Sequence, residues 1–478
     1  MNRLRQLGKD SMVYGMGGIA AKGVSFLTLP IYTRIFSPAE YGSIEMLAVI
    51  SSFLAALLVM GMDSAQSMYF FKHKDEGLDT QSSLVSSILQ FRLLFGGTIV
   101  ILSTLLAPTL NAVFFEGKLG PEYFAFAFAN ALFTQILNQS SEIMRLLYRP
   151  WGYISITLGQ AITATCLVLI IVLYFDGGIL GFFMGTAISS FLVGSFGWFR
   201  VRRYLNFRKV HSEWWPQLIK FGLPLVPAGL ATYFMTTCDR WFVQHYYGVQ
   251  ELGIFAIGAK FSMIMTIAVE TFRKAWWPIA MDSMQSDDGP KTFRLIARVY
   301  MGCGTTCVVA LTLLSPWLLK WFAGPLYTNA WPIVGILAWQ SLFYGFYLIA
   351  AAGIWKTEKT YLNLYIMLFA LSVGVLFNWL LVPKYGGEGA AVATAVTHFI
   401  STFISLFVSQ RLWSINLFDF TLILQIAIGI SAAVWMITSM NEHFILRGSV
   451  VLALLLSNLV IFHFHLKHES ASHDPIGK

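Results

Sequence analysis

The chain has 478 residues, 56% of them hydrophobic and only 12% charged, with a formal net charge of +8 and a mean hydropathy of +0.66. Soluble domains carry about 25% charged residues, and a soluble chain of this length divides into domains joined by polar linkers. This one is a train of apolar runs with short charged punctuation, which excludes a soluble enzyme and describes an all-α polytopic membrane protein.

Runs of about 20 apolar residues, enough to cross a bilayer, fall at 11–33, 43–62, 84–108, 122–147, 153–175, 179–199, 219–243, 252–272, 293–319, 331–353, 361–382, 389–410, 418–439 and 448–466. Fourteen spans are therefore expected, or twelve if the first and eighth, which carry Lys22 and Lys260, re-enter instead of crossing. With the N-terminus inside, 23 of the 32 Lys and Arg residues fall on the cytoplasmic side. Only Arg34, Lys118, Arg240, Lys320, Lys384 and Arg447 fall outside, and Lys22, Arg92 and Lys260 fall within spans. This bias places both termini in the cytoplasm and accounts for the positive charge without nucleic acid as a partner.

The first span begins like a signal peptide, but Lys22 interrupts its apolar region and no A-x-A site follows, so it reads as retained. Lys22 lies about 11 residues, roughly 16 Å, from either end of the span. That is too far for easy snorkelling, so a bundle interior or water-filled cavity is expected for it. Arg34 lies near the outer end of the same span, and Glu45 and Asp63 lie near water at opposite ends of the second. Arg92 sits about a third of the way into the third span, where either a cavity or snorkelling is possible. Glu142, Arg145 and Arg149 stand at i, i+3 and i+7 in the fourth, a spacing for structural pairing.

The basic loop RVRRYLNFRKVHSEWWPQ, Arg200 to Gln217, divides the chain, with Trp214 and Trp215 as interface anchors. The expected organisation is a first bundle over 1–210, a second over 211–410 and two additional helices over 411–478. The seventh span ends in TTCDRWFVQHYYG, with Asp239 beside Arg240. Neighbouring helical residues do not face one another, so each charge is expected to have its own partner, and at membrane depth both are functional candidates. Lys260 lies in the eighth span, and Glu270 stands beside Arg273 and Lys274 at its end, again as a structural pair.

The stretch YTRIFSPAEYGSIEML, Tyr32 to Leu47, is repeated in CDRWFVQHYYGVQELGIFAIG, Cys238 to Gly258. Arg34 matches Arg240, Phe36 matches Phe242, and Glu40-Tyr41-Gly42 matches Glu251-Leu252-Gly253. Both copies run from inside to outside, so the repeat is parallel, as in transporters built from two related bundles.

Cys166, Cys238, Cys303 and Cys307 lie in apolar segments with no C-x-x-C spacing and read as packing residues. His463, His465, His468 and His473 read as a solvated tail, and neither a metal nor a cofactor is expected. No Gly-rich phosphate loop, H-E-x-x-H or nucleophile elbow occurs. The charges at membrane depth are mainly cations: Lys22, Arg92 and Lys260, with Arg34 and Arg240 above them. Such a cavity binds an anion, and the Arg fork suits phosphate oxygens. Asp239, Glu142 and Glu270 are the acids available for ion coupling.

The segments LPIYTRIFSPAEYG (Leu29 to Gly42), FGLPLVPAGLATYFMTTCDRWFV (Phe221 to Val243), ELGIFAIGAKFS (Glu251 to Ser262), AWWPIAM (Ala275 to Met281) and YGGEGAAVATAV (Tyr385 to Val396) resemble the polysaccharide transporter branch of the multidrug/oligosaccharidyl-lipid/polysaccharide exporter superfamily, the Wzx-type repeat-unit flippases. The resemblance implies two helical bundles, alternating access and an undecaprenyl-pyrophosphate-linked oligosaccharide as cargo. It also implies cationic cavity residues and coupling to a proton or sodium gradient. The setting it implies is a bacterial inner membrane, with a glycan polymerase and chain-length proteins as partners. A drug or cation exporter of the same superfamily would favour acidic cavity residues. A lipid II flippase is a further relative. A membrane glycan polymerase or ligase would need a larger external loop than any here.

Overall fold

The computed structural model describes residues 15, 17–207, 210–359, 361–417, 420–438 and 448–458, and their regular structure is helical throughout. The start of the first expected span, the end of the fourteenth with its four histidines, and Arg208 and Lys209 lie outside the described residues. The chain divides into two compact units, residues 1–253 and 254–478.

In the first unit, α1 (17–27) and α2 (Leu29–Ile35) precede an extended break at Phe36 and Ser37. Ser37 and Glu40 then form a capping box that starts α3 (Pro38–Val59), which satisfies two backbone donors that have no helical partner. Met60 and Gly61 both adopt left-handed backbone, stopping α3 and re-aiming the chain into α4 (Met62–Lys72). Next come α5 (Leu78–Phe91), a π-helical stretch Arg92–Gly96, α6 (Gly97–Leu105), α7 (Ala107–Phe115) and α8 (Pro121–Leu146). The unit continues through α9 (Pro150–Tyr174), α10 (Gly178–Arg200), α11 (Trp215–Gly222) and the first part of α12 (Val226–Ser283), which bends at Gly248.

Lipid tails are as apolar as Leu, so helices in a bilayer associate through close packing and interhelical hydrogen bonds. The first unit uses both. Gly185 of α10 leaves room for the Val168 backbone of α9, and Gly197 of α10 leaves room for Ser140 of α8. Ser51 Oγ of α3 donates to Ala127 O of α8 at 2.7 Å, and Tyr233 Oη of α12 donates to Val49 O of α3 at 2.8 Å.

The closest approach joins the two copies of the sequence repeat. A Cβ on Gly42 would lie 2.7 Å from the Val249 carbonyl carbon and 2.9 Å from Gly253 N. One on Gly253 would lie 2.8 Å from the Pro38 carbonyl carbon and 3.0 Å from Gly42 N. Gly42 corresponds to Gly253 in the repeat and Pro38 to Val249, so each copy offers its glycine to the other copy's first carbonyl. The backbone breaks correspond as well: Ser37 precedes one copy and Gly248 the other.

The second unit holds the rest of α12, then α13 (Gly289–Phe322), α14 (Trp331–Ala350), α15 (Ala352–Lys356), α16 (Tyr361–Leu412), which bends at Gly386, α17 (Phe420–Thr438) and α18 (Gly448–Asn458). Tyr300 Oη of α13 donates to Leu342 O of α14 at 3.0 Å, and Thr402 Oγ1 of α16 donates to Phe343 O of α14 at 2.9 Å. Asn458 of α18 donates to Gly302 O and Thr306 Oγ1 of α13, both at 3.0 Å.

Among the described residues, eight helical stretches are long and apolar enough to cross a membrane. The count is lower than fourteen for identifiable reasons. The stretches bending at Gly248 and Gly386 each contain two of the expected spans, the first span is only partly described and is interrupted at Thr28, and α17 and the described part of α18 are too short to qualify. Helix α8 coincides with the expected span 122–147 but is not among the eight. The cause is a polar stripe along it, described next.

Candidate functional site

Two charged clusters lie within the first unit. In the outer one, Arg240 of α12 donates through Nε to Glu45 Oε1 of α3 at 2.9 Å and through Nη1 to Asp239 Oδ1, also at 2.9 Å. Asp239 Oδ1 accepts the Arg240 backbone N–H as well, at 2.8 Å, and Arg240 Nη1 reaches Thr236 O at 3.1 Å. The side chains of Arg240, Glu45 and Asp239 are 17%, 14% and 5% exposed. Two expectations need correction here. Asp239 and Arg240 do pair with each other, because the carboxylate folds onto its neighbour's N–H and the long Arg side chain curls back to the same oxygen. The 100° separation governs where a side chain starts, not where a flexible guanidinium ends. Glu45 is also not a solvated acid at a span end but the cross-helix partner of Arg240, three residues from the Gly42 crossing. Among the described residues, one guanidinium between two carboxylates gives this cluster a formal charge of −1.

The inner cluster surrounds a cavity of about 500 Å³ between α4, α8 and α9. Asp63, in the first turn of α4 after the Met60–Gly61 break, lines it and is 39% exposed. Asp63 Oδ1 accepts from Arg92 Nη2 at 2.6 Å, and Arg92 Nη1 donates to Gln135 O. For Arg92, where the sequence allows a cavity or snorkelling, the structure gives neither: its side chain is 1% exposed, enclosed behind Asp63 at the start of the π-helical stretch. A π insertion adds one residue to the turn and so re-aims the side chains that follow; such bulges are frequent at functional sites. Glu142 lines the same cavity, with Oε1 accepting from Arg145 Nη2 and from Ser67 Oγ, the latter at 3.0 Å.

The remaining candidates are dispersed. Lys22 on α1 and Arg34 on α2 are exposed and form no ion pair among the described residues. Arg149 is exposed. In the second unit, Lys260 is partly exposed on α12, and Glu270 Oε2 accepts from Arg273 Nη2 at 2.6 Å, the local pair expected from their spacing. Among the described residues no group of three or more His, Cys, Asp or Glu side chains is placed to hold a metal.

Sequence reasoning missed the polar face of α8. Asn130, Thr134, Asn138, Ser141 and Arg145 recur at helical spacing and fall on one stripe. At its far end Ser190 Oγ of α10 donates to Asn130 Oδ1 at 2.7 Å and accepts from Gln160 Nε2 of α9 at 2.9 Å. Apart from Arg145 these residues are neutral and common, so none of them stands out as a charge at membrane depth. Their period inside a hydrophobic span was the available signal.

The family model described as "Polysaccharide biosynthesis protein" matches residues 7–284. An Lsg locus protein and a membrane protein of Haemophilus influenzae are 21% and 20% identical over 282 residues, 58% of this chain. The match spans 66% of their length, just under two thirds. The succinoglycan biosynthesis transport protein ExoT of Rhizobium meliloti is 22% identical over 393 residues, covering 78% of this chain and 71% of its own. Among solved structures, the lipid II flippase MurJ in an inward closed conformation superposes with a TM-score of 0.74 at 14% identity, covering 95% of this chain and 99% of its own. An inward-facing MATE multidrug transporter of the MOP superfamily gives 0.63 at 15% identity, covering 86% and 96%. The fold is therefore the MurJ- and MATE-like helical fold of a multi-pass membrane protein, and with more than half its length matched, the chain belongs to the polysaccharide biosynthesis protein family.

Proposed function

We propose that this protein flips undecaprenyl-pyrophosphate-linked oligosaccharide repeat units across the bacterial inner membrane by alternating access, driven by an ion gradient. The observation that carries the reading is the combination in one chain of a polysaccharide biosynthesis family match with a fold shared by a lipid flippase and multidrug transporters. In this reading the pyrophosphate is bound by cations, the polyprenyl tail stays in lipid, and a glycan polymerase with its chain-length proteins receives the product outside.

The cations differ in their readiness for that role. Lys22 and Arg34 are exposed without an ion pair among the described residues, so an incoming anion displaces nothing. Arg240 binds an anion only by releasing Glu45 and Asp239. Released carboxylates at membrane depth require a counter-charge, and a proton or sodium ion from solution supplies it. Exchange of partners at Arg240 thus couples cargo to ion. Arg92 and Lys260 act from behind or beside the path, Glu142 and Glu270 as acids already paired with Arg145 and Arg273.

The test measures surface glycan, lipid-linked glycan held on the cytoplasmic leaflet, and variant abundance in a strain lacking the native protein. Lys22→Ala should reduce display about tenfold or more, the worth of a lost hydrogen bond to a charged group, at normal abundance. Lys22→Arg should be milder because the charge survives. Full display by both Lys22→Ala and Arg240→Ala refutes the cationic site, and absence of any lipid-linked glycan build-up in the deletion strain refutes the flippase.

A further inference from the structure

None of Lys22, Arg34 and Arg240 lines the cavity between α4, α8 and α9, which is built of polar groups in a membrane-embedded bundle. Its volume, about 500 Å³, lies within the roughly 300–1,000 Å³ of small-molecule sites. Its two carboxylates, Asp63 and Glu142, are each matched by a guanidinium, Arg92 and Arg145, so among the described residues the site is formally neutral. A phosphate would face both carboxylates, and a metal cation would have to displace an arginine. Neutrality therefore selects against both kinds of ion.

What the cavity does offer is hydrogen bonding in both directions. Asp63 and Glu142 each hold their protein donors on one oxygen, Oδ1 and Oε1, and among the described residues the second oxygen of each has no protein donor. Such oxygens accept strongly from hydroxyl groups. Asn138 both donates and accepts through its amide, and Ser64 through its hydroxyl. Tyr153, also in the lining, adds one aromatic face. Adjacent acceptors, an amide and one ring suit a ligand with many hydroxyls on an apolar ring skeleton, that is, a sugar.

We propose that this cavity is a glycan subsite, which takes uncharged sugar residues of the cargo while the pyrophosphate is bound elsewhere. The proposal rests on the flippase reading and adds to it: the first unit recognises the sugar, so cargo selectivity resides in α4, α8 and α9. Arg145, one of the basic residues that the charge distribution assigns to the cytoplasmic side, lines the cavity. A subsite there samples the glycan before it crosses.

The experiment reconstitutes the full-length protein in liposomes with two cargoes. One is the polyprenyl-pyrophosphate-linked repeat unit extracted from the source cells, and the other is the same lipid trimmed by exoglycosidases to its first sugar. Translocation is read as exposure of the sugar to an external, membrane-impermeant periodate probe. Asn138→Leu should lower the ratio of full to trimmed cargo moved by about tenfold, since an unpaired polar group in a sugar site discriminates strongly. Asn138→Gln, which keeps the amide, should restore most of that ratio. Ser64→Val, at an exposed position with a smaller expected effect, serves as a second variant if Asn138→Leu is not monodisperse. A ratio within twofold of the wild type in the apolar variants overturns the subsite and leaves the flippase standing. A wild-type protein that moves neither cargo overturns both.

Discussion

Replacing Gly42 with Ala tests the crossing of the two repeat copies. The added Cβ would sit 2.7 Å from the Val249 carbonyl carbon and 2.9 Å from Gly253 N, and both are backbone atoms that cannot rotate away. The Val249 carbonyl oxygen lies nearer still, so restoring van der Waals spacing of about 3.5 Å requires α3 and α12 to part by more than about 1 Å at this point. Overpacking of this kind costs about 1–3 kcal/mol, partly offset by the gain of up to about 1 kcal/mol from Ala over Gly in a helix. Gly159, within α9, is the matched control, because a Cβ there meets nothing within 4 Å. Thermal unfolding of the purified protein in detergent should show Gly42→Ala melting several degrees below the wild type and Gly159→Ala at or slightly above it. Adding Gly253→Ala to Gly42→Ala should cost less than its effect alone, because the helices have already separated. Equal melting of Gly42→Ala and Gly159→Ala would show that the crossing is not a tight contact, and the reasoning would fail.

The Arg240 cluster should behave as a coupled pair: Glu45→Gln and Arg240→Gln together should destabilise by about 0.5–3 kcal/mol less than the sum of the two singles, measured in the same unfolding assay, and strict additivity would dissolve the pair. At the inner cluster the two partners are unequal. Asp63→Asn strands a guanidinium that is 1% exposed, whereas Arg92→Met leaves a carboxylate that is 39% exposed and can be hydrated. The first should therefore cost about 3–5 kcal/mol and the second distinctly less, and the reverse order would contradict the burial. Reporter fusions after residue 210 should read cytoplasmic and fusions near 117 and 327 external; a single inverted reading breaks the orientation.

The helices were legible because apolar length is a one-dimensional property. Pairings across helices were not, and Glu45 shows why: read along the chain it is an acid near a span end, and only the fold places it 2.9 Å from a residue 195 positions later. The repeat could be read from Glu-x-Gly in both copies, but not that the copies touch, since a glycine gives no sign of what approaches it. Arg92 was visible as a charge in a span. Its enclosure behind Asp63, at the start of a π-helical stretch, leaves no mark in hydropathy. Asn138 carries no charge, and a neutral polar stripe in a bilayer carries information only through its period.

The reciprocity of the Gly42–Gly253 contact has a consequence for how the two copies vary. A glycine of each copy set against the first carbonyl of the other is the contact that two identical chains make about a two-fold axis, where residue i meets j and j meets i. In such a dimer one substitution at that glycine strikes both sides of the interface at once. In a single chain each side is free to vary singly. The sequence records that freedom, with a capped serine before one copy and a kinked glycine before the other.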